Sequence, residues 1–542
     1  MRNRWETFFI TLTAAFLCFA LPAQTPPVPK PNKPAASPLP AINGKPAPLK
    51  IGWAVRDVST NLPVMIPGGF SMRISQGMAD RLFVTALAID NGFDSVVFLS
   101  CDHLHLSAVQ ITLIKRQIAR LDPAFPLAKL LVNSTHTHTS PALVGPGRHG
   151  GVPKQIAIDD RGEYRDFFCR AAAEAVTEAW HKRIPGQVAW GYGFVVAGFS
   201  RRTIYSRDLS QMPYYKKNWN APVMLGRGTM HGPNIAAFSH YEAGMDPFAN
   251  FLFTFDDQDK LTGAVINLST TAQCGNPNFS QLSADFWNEV REVLRAKYGN
   301  IGILPQCAAA GDITPGQKHY LAAQKRRLRL KYGERTGERI IQYRYDIADR
   351  IAAAFDEVLS WAGKEKFSSL PLCHTVIRTR LKRAVYSKEA IARAQASLEA
   401  LEKMPPPDAT DSAALLKESS LRTTMRWKYQ RVTGNAESVR KQPFEVAELH
   451  FVRLGDIAFA SNPFELFIDY MHRIQRRSPF ELTFIVQLAH MGGGAAGYLP
   501  TSRATANLGY SAEPFSYRIG PEGGSQLVNV TVNELRRLHS AK

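Results

Sequence analysis

Pro126-Leu-Ala-Lys-Leu-Leu-Val-Asn-Ser-Thr-His-Thr-His-Thr-Ser-Pro141 runs from a short apolar stretch into a polar loop that carries two histidines. A brief apolar run bounded by proline and polar residues reads as a strand. In an extended chain residues i and i+2 project to one side, so His136 and His138 are expected to share a face, with Thr135, Thr137 and Thr139 turned away. Two neutral imidazoles on one face suit a metal ion, or acid and base work near pH 7. A strand end with two solvated histidines has the same pattern, so the doublet alone leaves both readings open.

Upstream, Phe83-Val-Thr-Ala-Leu-Ala-Ile-Asp90 and Asp94-Ser-Val-Val-Phe-Leu-Ser100 read as strands, and Leu106 to Ala119 as an amphipathic helix leading back to the histidine strand. Strand and helix in alternation predict an α/β fold, a mixed β-sheet with flanking helices. Cys101-Asp102-His103 falls at the end of a strand, where the ligand crevices of α/β sheets lie, although an aspartate there also makes an ordinary turn. Further on, Ser387 to Lys403 carries strong helix formers at a spacing near 3.6, then Met-Pro-Pro-Pro breaks the pattern and Ala413 to Arg431 resumes it. We read residues 385–445 as a helical hairpin inserted between strands, which covers a face or contacts a partner.

The chain opens with Arg2 and Arg4, an apolar run from Phe8 to Leu21, and Ala-Gln at 23 and 24. This order predicts a cleaved secretory signal over 1–23 and hence a secreted or periplasmic protein. Residues 24–48 are rich in proline and read as a linker, which leaves 49–542 for one catalytic domain. No later segment is long and apolar enough to span a bilayer. Hydrophobic residues make up 45% of the chain, enough for a substantial core. Beyond the signal, cysteines stand at 101, 169, 274, 307 and 373 with no short paired spacing, which argues against a disulfide framework or a thiolate zinc site. The net charge of +19 comes from scattered basic residues, with dense patches only at 325–329 and 473–477. No nucleic-acid module accompanies them, so we expect no nucleic-acid partner; a basic surface suits peripheral contact with an anionic membrane.

The order of motifs resembles the neutral, non-lysosomal ceramidases. Thr135-His-Thr-His-Thr-Ser-Pro141 is similar to the histidine segment of that family. Phe199-Ser-Arg-Arg202, Met245-Asp-Pro247, Asn267 with Leu282-Ser-Ala-Asp285, and Gly311-Asp-Ile-Thr-Pro315 follow in the family's order. Asn462-Pro-Phe-Glu-Leu-Phe467, Gly497-Tyr-Leu-Pro-Thr501 and Gly509-Tyr510 complete it. Each motif is weak alone; together they cover most of the chain from residue 135 to 510. The resemblance implies His136, Glu465 and Tyr498 as zinc ligands, His138 as the residue that polarises the amide carbonyl, Arg201 near the substrate, and Tyr510 assisting the tetrahedral intermediate. It implies Zn2+ as cofactor and a lipid or N-acyl small molecule as substrate. Zinc does favour nitrogen and oxygen ligands with one open position. Taken singly, Glu465 would also sit well at a helix start and the two tyrosines would pack a loop.

The sequence departs from the family in three places. Thr271 stands where the family's second histidine ligand is expected, which reduces the inherited set; His490 is a candidate to replace it, and Gln273 and Cys274 lie close in sequence. The 385–445 insertion is the second difference. The third is the short stretch after Tyr510, which leaves no room for the family's immunoglobulin-like C-terminal domain. The expected function is an exported, zinc-dependent amidohydrolase cleaving the N-acyl linkage of ceramide or a ceramide-like lipid. Two other readings stay open: a metal-free protein that binds an envelope lipid or polymer, and a hydrolase that uses the Thr314 hydroxyl as nucleophile with His138 as base.

Overall fold

The structure is a computed structural model that describes residues 44–143, 156–158, 162–211, 226–230, 235–275, 279–333, 339–407, 412–490 and 497–541. The signal and most of the linker lie outside the described residues. The end of the proline-rich stretch belongs to the fold, because Ala47 and Pro48 pair with Leu370 and Ser369.

Eight strands form the larger sheet: β1 Lys50–Asp57, β2 Phe83–Asp90, β3 Ser95–Cys101, β4 Leu130–Ser134, β5 Ile184–Phe194, β6 Phe248–Asp256, β7 Leu261–Leu268 and β8 Gly302–Cys307. Their order is β8-β7-β6-β5-β1-β2-β3-β4, antiparallel except for the pairs β3/β4 and β7/β8. A second sheet places β9 Leu372–Lys382, β10 Phe444–Leu454, β11 Ile457–Ser461 and β12 Leu482–Val486 in sequence order, with β11/β12 parallel. The mixed α/β architecture expected from the alternating pattern is therefore present.

Period-two alternation divides each strand between two cores. In β2 and β3, Val84, Ala86, Ala88, Val97 and Leu99 face the helices α1 Ala108–Leu121, α2 Glu163–His181, α3 Phe286–Tyr298 and α4 Arg339–Ala362. Leu87, Ile89, Val96 and Phe98 face the other way and meet Val452, Phe459 and Phe484 of the second sheet. The Phe98 and Phe459 rings stand 4.8 Å apart in that inner layer. The far side of the second sheet is covered by α7 Ile468–Gln475 and α8 Pro521–His539 through Met471, Leu527, Val532 and Leu535. The result is four layers, helix on sheet on sheet on helix.

Between β9 and β10 the chain makes two helices, α5 Lys388–Glu402 and α6 Ser412–Lys441. Ala390, Ala394 and Leu401 of α5 and Met425, Tyr429 and Val432 of α6 form a small core with Phe515 and Tyr517. The hairpin thus rests on the C-terminal loop that contains Tyr510. The parallel pairs β3/β4, β7/β8 and β11/β12 each release the chain toward the same crevice, which brings the loops after residues 134, 268, 307, 461 and 486 together.

Candidate metal and catalytic site

The strand β4 ends at Ser134, and the backbone then turns sharply: His136 has φ of 61°, in the left-handed region. The two histidines therefore do not share a face by strand alternation, which corrects the sequence expectation. They meet because the loop folds back. The rings lie edge to face with centroids 5.0 Å apart. The loop is held on both sides, by the His136 N–H donating to the His103 carbonyl (3.0 Å) and the His138 N–H to the Ala272 carbonyl (3.2 Å).

Each ring has a defined role in hydrogen bonding. His136 Nδ1 lies 2.8 Å from the Leu104 carbonyl oxygen, which can only accept, so the proton sits on Nδ1. Nε2 then faces Glu465, whose Oε2 is 3.5 Å away. The Gln273 side-chain amide lies 3.4 Å from His138 Nδ1, and His138 Nε2 is a buried atom with no hydrogen-bond partner among the described residues. Burial, reinforced by the nearby His136, Arg201 and Arg73 charges, holds the His138 pKa well below its ordinary value, so the ring is neutral.

Glu465 is not at a helix start. It forms a two-residue strand in register with Tyr498, and α7 begins only at Ile468. Four hydrogen bonds fix this position. The Gln487 side-chain oxygen accepts from the Leu466 N–H (2.9 Å) and the Ala310 N–H (3.1 Å), the Gly311 N–H donates to the Leu466 carbonyl (2.8 Å), and the Asp312 carboxylate accepts from the Ile468 N–H (2.9 Å) at the first turn of α7. Gly311 is required by close approach: a Cβ there would lie 2.3 Å from the Glu465 carbonyl oxygen. Burial opposes ionisation of Glu465, but the hydrogen bond and charge of His136, the Arg201 guanidinium and the Tyr498 hydroxyl outweigh it and leave its pKa lowered.

Arg201 is buried and donates to the Gly311 carbonyl (2.8 Å) and to the Tyr498 hydroxyl oxygen (3.2 Å). The Tyr498 hydroxyl in turn donates toward that of Tyr510 (3.4 Å). Burial and the Glu465 charge push both phenols up, so both are neutral as described; a cation beside Tyr498 would reverse that preference. Arg202 places Tyr510. Its guanidinium pairs with the buried Glu242 and donates to the carbonyls of Tyr510 (2.8 Å) and Leu508 (2.8 Å).

These residues fit a zinc ion. His136 Nε2 and a Glu465 carboxylate oxygen face each other at 3.5 Å, and the Tyr498 hydroxyl reaches the same carboxylate. One nitrogen and two oxygens make a donor set that a divalent cation would satisfy, with a position left open.

Thr271 and His490 answer differently. Thr271 follows β7 and lies beside the histidine loop, buried, with no hydrogen-bond partner for its hydroxyl among the described residues. His490 does not replace the missing imidazole. It stacks on His450 with centroids 4.0 Å apart, accepts from the Val132 N–H at Nε2 (3.0 Å), and directs Nδ1 toward Glu448 (3.5 Å). His450 Nε2 faces the same Glu448 oxygen at 3.5 Å. Because Nε2 of His490 is an acceptor, its proton is on Nδ1; Glu448, His450 and His490 bring their ligand atoms within 4.8 Å of one another as a histidine and carboxylate group of their own.

Two residues at the site went unnoticed in the sequence. His105 follows Leu104, whose carbonyl orients His136, and is exposed to solvent. His103-Leu-His105 at a strand end was the available signal. Lys428, from the inserted helix α6, stands over Tyr510, with nothing in its local sequence to mark it. Thr314 lines a neighbouring cavity of about 320 Å³ with Gln273, Phe279 and Tyr343, and no hydrogen bond joins it to His138.

No protein-family profile and no characterised protein matches the chain. Solved structures do. The neutral ceramidase from Pseudomonas aeruginosa aligns with a TM-score of 0.62 over 91% of this chain and 74% of that one, at 16% identity. A structure described as ceramidase complexed with C2 aligns with a TM-score of 0.61 over 91% and 75%, at 14% identity. The chain has the neutral ceramidase fold. Within that fold, the crevice at the ends of the parallel strand pairs is where His136, Glu465, Tyr498, Arg201 and Tyr510 converge.

Proposed function

We propose that this protein is an exported metal-dependent hydrolase that cleaves the amide bond of an N-acyl lipid, with zinc held by His136, Glu465 and Tyr498. The observation that carries the reading is that His136 Nε2 and Glu465 Oε2 face each other across 3.5 Å while the Leu104 carbonyl holds the opposite ring nitrogen. An imidazole nitrogen and a carboxylate oxygen so placed are ligands that a divalent cation can join. The ceramidase fold and the neutral His138 beside the pair support an amide as the bond cleaved.

A divalent ion there, when bound, supplies Lewis acidity and a more acidic water. The protein's own residues do the rest. His138, whose Nε2 has no hydrogen-bond partner among the described residues, would hydrogen-bond the oxygen of the scissile carbonyl as negative charge grows on it. Arg201, its Nε also without a partner among the described residues, adds a fixed positive charge beside the Tyr498 hydroxyl. Tyr510 offers a hydroxyl 3.4 Å from that of Tyr498 and can hydrogen-bond the developing oxyanion. The roof formed by Phe70, whose ring is 5.2 Å from that of Tyr510, limits water above the site.

The test combines zinc content with fatty-acid release from N-acyl-sphingosine and simpler N-acyl amines. The wild type should bind one zinc and hydrolyse at least one of these; His136→Ala should lose both. His138→Ala and Tyr510→Phe should keep zinc and lose about a hundredfold to a thousandfold in turnover. Thr271→His adds an imidazole to the set and should tighten zinc by about tenfold or more. Stoichiometric zinc that persists in His136→Ala would remove the metal assignment. A protein with no zinc and no turnover that still binds lipid would be the metal-free binder instead.

A further inference from the structure

We propose that Lys428, carried into the crevice by the inserted helical hairpin, is an anchor for an anionic group on the substrate, so that the preferred substrate is an N-acyl compound whose amine portion bears a carboxylate or phosphate. This rests on the hydrolase reading above and narrows its substrate class.

The Lys428 ammonium is held by aromatic faces alone: Phe70 at 4.2 Å, Phe515 at 4.8 Å and Tyr510 at 5.4 Å from Nζ to ring centroid. No carboxylate forms an ion pair with it among the described residues. The Arg431 charge repels it and the Glu465 charge attracts it. Burial brings its pKa to about 8, so it is still mostly charged at pH 7. Cation–π contacts contribute about 0.5–2 kcal/mol each and replace only part of the hydration that a buried ammonium loses.

The surroundings share this excess of positive charge. Arg73 donates to the carbonyls of Phe279 (3.0 Å), Pro67 (2.8 Å) and His138 (3.0 Å), and Arg201 to a carbonyl and a phenol; neither pairs with a carboxylate directly. Among the described residues, three cations thus border the crevice around His138 and Tyr510, and the carboxylate beside them is Glu465, which faces His136. A neutral sphingoid amide leaves that surplus uncompensated, whereas an anionic head group neutralises it with a charge-assisted hydrogen bond from Nζ. The hairpin is well anchored for this task, since the Met72 N–H donates to Ser420 Oγ of α6 (2.8 Å) and joins it to the loop that carries Phe70.

Binding measured by calorimetry tests the inference without requiring turnover. The probes are N-dodecanoylglycine, N-dodecanoyl-phosphoethanolamine and the uncharged N-dodecanoylethanolamine, each below its micellar concentration. The wild type should bind one anionic probe about tenfold or more tighter than the uncharged one, and which of the two it prefers identifies carboxylate or phosphate. Lys428→Met keeps the aromatic packing and should bring the probes together; Lys428→Arg should retain the preference, as should Arg426→Met on the exposed side of the same helix. Equal binding of all three probes by the wild type, no binding of any, or a preference that survives in Lys428→Met would overturn the proposal. Hydrolysis with no anionic preference would leave the hydrolase reading intact, and a preference without hydrolysis would leave the anion site and remove the hydrolase.

Discussion

Gly68 shows how narrowly the imidazoles are placed. Its φ of 94° is in the left-handed region, and a Cβ there would lie 2.7 Å from His138 Nδ1. Gly68→Ala should displace the His138 ring while His136, Glu465 and Tyr498 keep their places. We expect zinc content to be unchanged and turnover to fall by about tenfold to a hundredfold, since a small misplacement of a donor is costly. Steady-state kinetics beside elemental analysis measures both, and loss of zinc in this variant would mean that His138 is itself a ligand. Residue identity was legible where a motif quoted it. Which nitrogen of His136 carries the proton was not, because that depends on the Leu104 carbonyl, distant in sequence and brought close by folding.

At the scale of elements, the loop from Leu508 to Ser516 carries Tyr510 and encloses a buried acid. Glu513 accepts from the Gly509 N–H (3.2 Å), and burial raises its pKa to about 8. Its folded pKa exceeds the unfolded value of about 4.3, so its contribution to stability is complete below that pH and is lost as pH rises toward 8. Glu513→Gln removes this dependence. Relative to wild type the variant should gain about 1.4 kcal/mol per pH unit between pH 4.5 and 8 and level off above. Urea unfolding across that range checks it; a constant difference would show that Glu513 is ionised throughout. Strands and helices such as Phe83–Asp90 and Ala108–Leu121 followed from local periodicity. The two-residue strand that aligns Glu465 with Tyr498 did not, since two residues have no period and the pairing partner is distant in sequence.

Across the whole molecule, the site is divided between the two sheets: β4 and β7 lead to His136 and Thr271, whereas β11 and β12 lead to Glu465 and Tyr498. The inner apolar layer therefore sets the distance between ligands as well as the stability. Phe459→Ala in that layer and Phe251→Ala in the outer helix-facing layer remove equally buried rings, and each should cost about 3–5 kcal/mol. Only Phe459→Ala should also weaken zinc, a difference that competition with a chelator would read; equal zinc affinity in both variants would mean the ligands are held by their loops alone. By itself the sequence determined the α/β class, the strands, the inserted helical pair and the residue types suited to the chemistry, because period and composition act over a few neighbours. Only the tertiary structure decided that His136 meets Glu465 by a left-handed turn, that His490 belongs to a separate histidine and carboxylate group, and that Lys428 reaches the crevice. Those outcomes depend on which distant segments share a core, and local sequence carries no record of the partner across the interface.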